Sequence, residues 1–201
     1  MPSRRYKFSR YAMYTDIEKF FKTNKLSVGR CLLVGDSIKG KGDDTIKIKN
    51  TALIDMLPKG CKIVAPTYPE VDIQKMPYDD NSFDYVMADQ VLEHVRKPWV
   101  GVEEVRRVLR PGGIAVLTSA LIFYMHGVPQ DYWRFTPDGL KVLCENFSKI
   151  HKYGGTGDIN FVLDVLHGRG GAKVVPGSSL EKKAVACDGK NLVSVWIIAE
   201  K

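Results

Sequence analysis

Histidine is the side chain whose charge changes nearest neutrality, and two of the four in this chain stand where polar residues gather beside apolar runs. His94 closes the cluster Asp89, Gln90, Glu93, His94, directly after the apolar run that begins at Phe83. His126 opens the segment HGVPQDYWRFTPDGL, with Asp131, Tyr132 and Arg134 close behind. An imidazole flanked by a carboxylate, a phenol and a guanidinium can take a proton from an acceptor while its neighbours orient it, which is general base chemistry. His126 is the expected base, with Asp131, Tyr132 and Arg134 as its catalytic partners. The competing reading is that Asp131, Tyr132, Trp133 and Arg134 simply lock the loop onto the helix that follows. His94 is the second candidate, or else it holds its own loop while Glu93 caps locally. His151 falls on a strand-like segment and His167 in a stretch rich in Gly, Ser and Lys.

Both clusters need a scaffold. Residues 81–113, NSFDYVMADQVLEHVRKPWVGVEEVRRVLRPGG, read in one pass as strand, polar loop, amphipathic helix and glycine turn. Trp99, Val102, Val105, Val108 and Leu109 recur at helical spacing with charged residues between them, so one helix face is buried. Pro111 ends the pattern, Gly112 and Gly113 allow the chain to turn back, and IAVLTSA reads as a second buried strand. This is half of a βαβ crossover, and open α/β sheets bind ligands at the carboxyl ends of their strands, where Asp89 to His94 fall.

Elsewhere the pattern predicts a helix at 15–23 after a mobile, tyrosine-rich leading segment and a first strand at 30–34. A helix at 51–57 ended by Pro58 and Gly60 follows, then strands at 61–65 and 71–73, a helix at 138–145 and strands at 149–153 and 192–199. Residues 154–190 read as a mobile or substrate-facing insertion with one helical island at 160–166. Alternating strands and helices predict an α/β fold with a parallel, doubly wound sheet in a single domain over 1–201. After the first strand, Gly35 stands at a tight turn, and Gly40 and Gly42 are placed where backbone approaches a ligand.

The stretch from Met76 to Gly113 resembles the signature of the small type 11 class I S-adenosylmethionine-dependent methyltransferases, "PF.D.SFD.V....VLEHV......E..RVLRPGG". The segment 126–140 looks like the "H..P.DYWRFTP.GL" element of a subgroup often associated with sugar or cell-envelope modification. The resemblance implies a Rossmann-like, seven-stranded sheet of order 3-2-1-4-5-7-6 with the last strand antiparallel. It also implies S-adenosylmethionine as cofactor and methyl transfer to an oxygen or nitrogen of a small-molecule or saccharide acceptor. By position Gly35, Asp36, Ser37 and Gly40 form the first cofactor motif, in which Ser37 replaces the second glycine. Thr67 stands where a carboxylate would take the ribose hydroxyls, with Glu70 near enough to substitute. Asp72 and Ile73 match the adenine-binding pair, and Asp89, Gln90 and Val91 pass beneath the methionine moiety. Tyr6, Tyr11 and Tyr14 either form a lid over the cofactor or only pack. Two other readings remain open: a nucleic-acid-directed methyltransferase, and a methyltransferase-like binding subunit without catalysis.

Composition fits such an enzyme. The chain has 201 residues, 44% hydrophobic and 26% charged, enough for one core. No apolar run reaches membrane-spanning length and the first residues lack a signal-peptide core, so a cytoplasmic protein is expected. The net charge of +7 is concentrated in Arg4, Arg5, Lys7 and Arg10, in Lys39, Lys41, Lys47 and Lys49, and in Lys182 and Lys183. It reads as a solvated basic surface before a nucleic-acid site. Cys31, Cys61, Cys144 and Cys187 lack metal-ligand spacing and read as buried free thiols, and no metal is expected.

Overall fold

The computed structural model describes residues 6–35, 37–39, 46–48, 52–127 and 130–201. Asp36 and Gly40, expected at the cofactor, lie outside that set, and of Ser37 only the backbone is described. The first strand, β1 (Arg30–Val34), is followed by a short antiparallel hairpin of β2 (Ser37–Lys39) and β3 (Ile46–Ile48). With β4 (Lys62–Val64), β5 (Phe83–Asp89), β6 (Leu109–Ala120), β7 (Lys149–Thr156) and β8 (Ser194–Glu200), β1 forms a sheet in the order β4-β1-β5-β6-β8-β7. The pairs from β4 to β6 are parallel, and β8 runs antiparallel to both β6 and β7.

That is the expected order with one strand fewer. Residues 71–73 make no strand. Asp72 accepts from the Gln74 amide at 2.8 Å while Lys75 N closes onto the Asp72 carbonyl at 3.0 Å, so the backbone groups that would pair with β4 are spent on a turn. The helix expected at 51–57 shrinks to a 3₁₀ turn, Ile54–Met56. Pro58 forces Leu57 into extended backbone (ψ 157°), which ends the segment before a second turn can form.

Helices cover both faces of the sheet. α1 (Tyr11–Thr23) starts four residues before its expected beginning, because Tyr11, Tyr14, Ile17 and Phe21 supply one continuous apolar stripe. The tyrosine segment is therefore packed. Tyr6, Tyr11 and Tyr14 are buried, and Tyr6 meets the other two rings edge to face at 6.2 and 5.1 Å. α2 (Pro98–Val108) buries Val102, Val105 and Val108, while Trp99, expected on that face, stays half exposed against the edge of Trp133. α3 (Pro137–Leu143) is capped by Thr136, whose hydroxyl accepts from Gly139 N at 3.0 Å.

The 154–190 stretch is more ordered than its composition predicts. β7 continues to Thr156, Asp158 caps α4 (Ile159–Leu166), and Ser178 caps α5 (Ser179–Ala184). Phe161 stands edge to face on Phe8 at 4.4 Å, and the Tyr11 hydroxyl donates to Glu181, so both helices are pinned to the amino-terminal segment. Buried apolar contacts outweigh the local Gly and Lys content.

Alternation along the central strands divides the core. Leu33, Met87, Val116 and Ile198 pack on one face with Phe8, Met13, Ile17 and Phe161. Leu32, Val86, Ala115 and Ile197 pack on the other with Val102, Val105 and Leu140. Strands buried on both faces must be apolar at every position, which is why β5 and β6 read as continuous hydrophobic runs. Cys31 and Cys144 are buried free thiols, as expected, and burial pushes the Cys144 thiol up to about 12. Cys61 is only half-buried and Cys187 is exposed, though both are free. Among the described residues no helix is long and apolar enough to cross a membrane.

Candidate active site

The parallel register sets Val34 of β1 beside Ala88 of β5, so Gly35 and Asp89 emerge together at the carboxyl edge. Gly35 has φ +90°, and a Cβ there would lie 2.4 Å from Val91 Cγ2. Only glycine fits that turn without displacing Val91. Gln90 is left-handed as well, at φ 56°, held by bonds from its amide and its Nε2 to Thr118 Oγ1 at 3.0 and 3.1 Å.

Asp89 is the electrostatic centre of this edge. Its side chain is fully buried and accepts from Arg10 Nη1 at 2.9 Å, from Thr118 Oγ1 at 2.5 Å and from the Tyr14 hydroxyl. Burial, and then the Asp89 carboxylate, raise the Tyr14 pKa well above the ordinary phenol value, so Tyr14 stays protonated and donates. Tyr14 and Arg10 thereby fasten the amino-terminal segment to the end of β5.

Thr67 is buried and its hydroxyl donates to the Glu70 carboxylate. The carboxylate missing at Thr67 is thus delivered beside it by Glu70. Asp72 sits in the turn described above, also accepting from Gln74 Nε2 at 3.2 and 3.1 Å through its two oxygens, and Ile73 is buried against Gly101.

The second cluster assembles around Glu93, in the 3₁₀ turn Leu92–His94 that follows β5. Its carbonyl accepts from Tyr132 N at 2.8 Å and Trp133 N at 3.2 Å, and Trp133 Nε1 donates to the Val95 carbonyl at 2.9 Å. His94 Nδ1 lies 2.5 Å from the Gln130 carbonyl. Asp131 accepts from His126 N at 2.8 Å and from both terminal nitrogens of Arg134, and its carboxyl is held well below the usual carboxylate range chiefly by the Arg134 hydrogen bonds. Arg134 also donates to the Trp133 and Tyr124 carbonyls. Asp131, Trp133 and Arg134 therefore lock this loop, while the Tyr132 side chain stays half exposed. His126 Nδ1 faces the Tyr124 carbonyl at 3.3 Å and Asp131 Oδ2 at 3.4 Å, and its ring meets His94 edge to face at 5.0 Å. His151 and Glu200, 2.6 Å apart, lie on the far strands, away from this edge.

Glu93 departs from its expected role as a local cap. Its side chain is fully buried and accepts from Ser119 Oγ at 2.7 Å, but Oε1 has no hydrogen-bond partner among the described residues. Burial raises its pKa above the ordinary carboxyl value. Arg10, Thr118 and Ser119 are site residues that sequence reading passed over. The available signal was the polar pair Thr118-Ser119 at the end of an otherwise apolar strand.

A cavity of about 280 Å³ opens between the clusters, lined by Arg10, Gln90, Phe123, Tyr124 and His126, with Gly168 to Gly171 closing one side. Within the 154–190 stretch, Val165, Gly168, Gly170 and Gly171 border this cavity.

A family profile described as a methyltransferase domain matches residues 48–117, the segment holding β4, β5, α2 and most of β6. Over that third of its length the chain resembles the methyltransferase domain family. An uncharacterized methyltransferase of Schizosaccharomyces pombe is 37% identical over 129 residues, 64% of this chain and 40% of the relative. Another, from Mycolicibacterium vanbaalenii, is 28% identical over 114 residues, 57% of this chain and 44% of the relative. The aligned stretches thus span less than half the length of these relatives. Among solved structures, the 1,6-didemethyltoxoflavin-N1-methyltransferase of Burkholderia thailandensis superposes with a TM-score of 0.56 at 14% identity, covering 94% of this chain and 78% of that one. At that identity the likeness is one of fold. It places the six strands and their order within the methyltransferase domain architecture.

Proposed function

We propose that this protein transfers a methyl group from S-adenosylmethionine to an oxygen or nitrogen of a small-molecule or saccharide acceptor. The observation that carries the reading is the juxtaposition, on one sheet edge of a methyltransferase domain, of the glycine turn at Gly35 and a cavity lined by His126. The edge fits the cofactor: the Gly35 turn brings backbone close, Glu70 beside Thr67 supplies a carboxylate for ribose hydroxyls, and Asp72 stands ready for the adenine amine. When bound, the cofactor supplies an electrophilic methyl on a sulfonium.

The chain's own part is positioning and proton handling. Methyl transfer is an in-line displacement, so holding both reactants in line accounts for much of the rate. Arg10, Gln90, Phe123 and Tyr124 wall the acceptor side. With Nδ1 turned to Asp131 and the Tyr124 carbonyl, His126 can present Nε2 to take a proton from the acceptor. Asp131 and Arg134 serve as positioning residues for it.

Thermal unfolding with and without S-adenosylhomocysteine tests the reading. A ligand at a hundred times its dissociation constant stabilises by about 2.7 kcal/mol, several degrees for a chain of this size. The expected result is that upward shift, followed by acceptor screening that begins with sugars. No shift at saturating ligand overturns the proposal in favour of a binding module that keeps the fold without the chemistry.

A further inference from the structure

We infer that Glu93, His94 and His126 form a binding site for a divalent transition-metal cation beside the cavity. One carboxylate oxygen and one nitrogen from each imidazole lie within 4.8 Å of one another. Two imidazoles and a carboxylate make a donor set suited to zinc, cobalt or ferrous iron, with coordination positions left open for water or an acceptor oxygen.

Three independent features point to a ligand here. Glu93 is fully buried, yet its Oε1 has no partner among the described residues, a costly arrangement that a cation relieves. The other oxygen is fixed by Ser119 at 2.7 Å, which orients the carboxylate as outer-shell partners orient metal ligands. Both histidines turn Nδ1 toward backbone or carboxylate oxygens, His94 toward Gln130 and His126 toward Tyr124 and Asp131. Donation from Nδ1–H to those oxygens leaves Nε2 as a lone pair on each ring, the tautomer a metal requires. Metal–nitrogen distances of about 2.1 Å in a tetrahedral site put donors about 3.4 Å apart. Two partly exposed imidazoles need to close by little more than an ångström to reach that spacing.

The site shares His126 with the proposed methyl-transfer machinery but does not rest on that reading. In the metal-bound protein His126 acts as a ligand, and in the metal-free protein its Nε2 is the proposed base. His126 also lines the cavity, so a cation held here would stand at its wall, where coordination of an acceptor hydroxyl would lower that hydroxyl's pKa.

Untagged protein, stripped with a chelator and titrated with Co²⁺ while visible absorption is followed, provides the test. Cobalt d–d bands saturating at one ion per chain, and displaced by Zn²⁺, are the expected result. Glu93→Gln keeps the shape and the Ser119 bond but removes the anionic ligand, and should weaken Co²⁺ at least tenfold, as should His94→Ala. His151→Ala, away from the site, should leave the titration unchanged. If His94→Ala fails to fold by far-ultraviolet circular dichroism, Glu93→Gln and His94→Gln decide the matter. Absence of bands, or equal affinity in Glu93→Gln, overturns the site. The S-adenosylhomocysteine shift is read on the same stripped sample. A retained shift without cobalt bands rejects the metal site alone, and bands without a shift reject methyl transfer alone.

Discussion

His126 reaches the cavity through bonds made by its neighbours, since Asp131 holds its amide and faces its ring while Arg134 holds Asp131. The proposed base, supported this way, should be removable without disturbing the edge proposed for the cofactor. His126→Ala should abolish turnover while leaving S-adenosylhomocysteine affinity within about threefold, roughly 0.65 kcal/mol, by titration calorimetry. Equal loss of both would make His126 a structural residue. Gly35 is the opposite case. Gly35→Ala puts a side chain at φ +90° and 2.4 Å from Val91, so it should cost about 1–3 kcal/mol in urea unfolding and weaken the same ligand. Unchanged stability would show that the turn does not depend on glycine.

At the scale of elements, the signature residues that made the chain legible are mostly clamps. Glu104 accepts from Met76 N at 2.9 Å and pairs with Arg107, which in turn donates to the Met76 and Tyr78 carbonyls and to Asp80. The Glu and Arg of "E..RVLRPGG" thus tie α2 to the segment before β5. Arg110 pairs with Asp84 at 2.5 Å across the irregular start of the β5–β6 register, where Gly112 takes φ 75°. Arg107→Ala removes hydrogen bonds from a partly buried guanidinium to four partners and should lower stability by about 2 kcal/mol, a few degrees in thermal unfolding. A loss under half a degree would show the clamp to be ornamental. The strand expected at 71–73 and the helix expected at 51–57 failed for local reasons, an aspartate turn and a proline, that propensity does not weigh against each other.

For the molecule as a whole, the bond between Asp131 and Arg134 gives stability a pH dependence of known sign. The Asp131 carboxyl titrates below its unfolded value near 3.9, so its contribution is present above that pH and lost as pH falls through the lower, folded value. Asp131→Asn should therefore show a constant deficit in melting temperature from pH 5 to 8, on the order of 2 kcal/mol, that closes as the solution is acidified below about pH 4. A deficit that persists unchanged in acid would assign the effect to packing. Net charge acts at the same scale. Arg10 is committed to Asp89, and Lys183 and Arg169 both pair with Asp164, so part of the basic surplus is internally engaged. RNA or DNA binding should be weak and steeply salt-dependent in filter binding.

The sequence by itself determined the strands and helices around 81–113, because apolar periodicity and glycine punctuation are local properties that survive without a fold, while the strand order and the antiparallel last strand were implied only by the resemblance of that stretch to a methyltransferase signature. It also marked Asp89, Glu93, His94, His126 and Asp131 by their polar types beside apolar runs. Only the tertiary structure decided that Arg10 and Tyr14 fasten to Asp89, that the Glu70 carboxylate accepts from the Thr67 hydroxyl, and that a buried Glu93 lies beside two imidazoles. Those meetings join residues brought together by strand crossovers, and burial, which sets their chemistry, exists only once the sheet has closed.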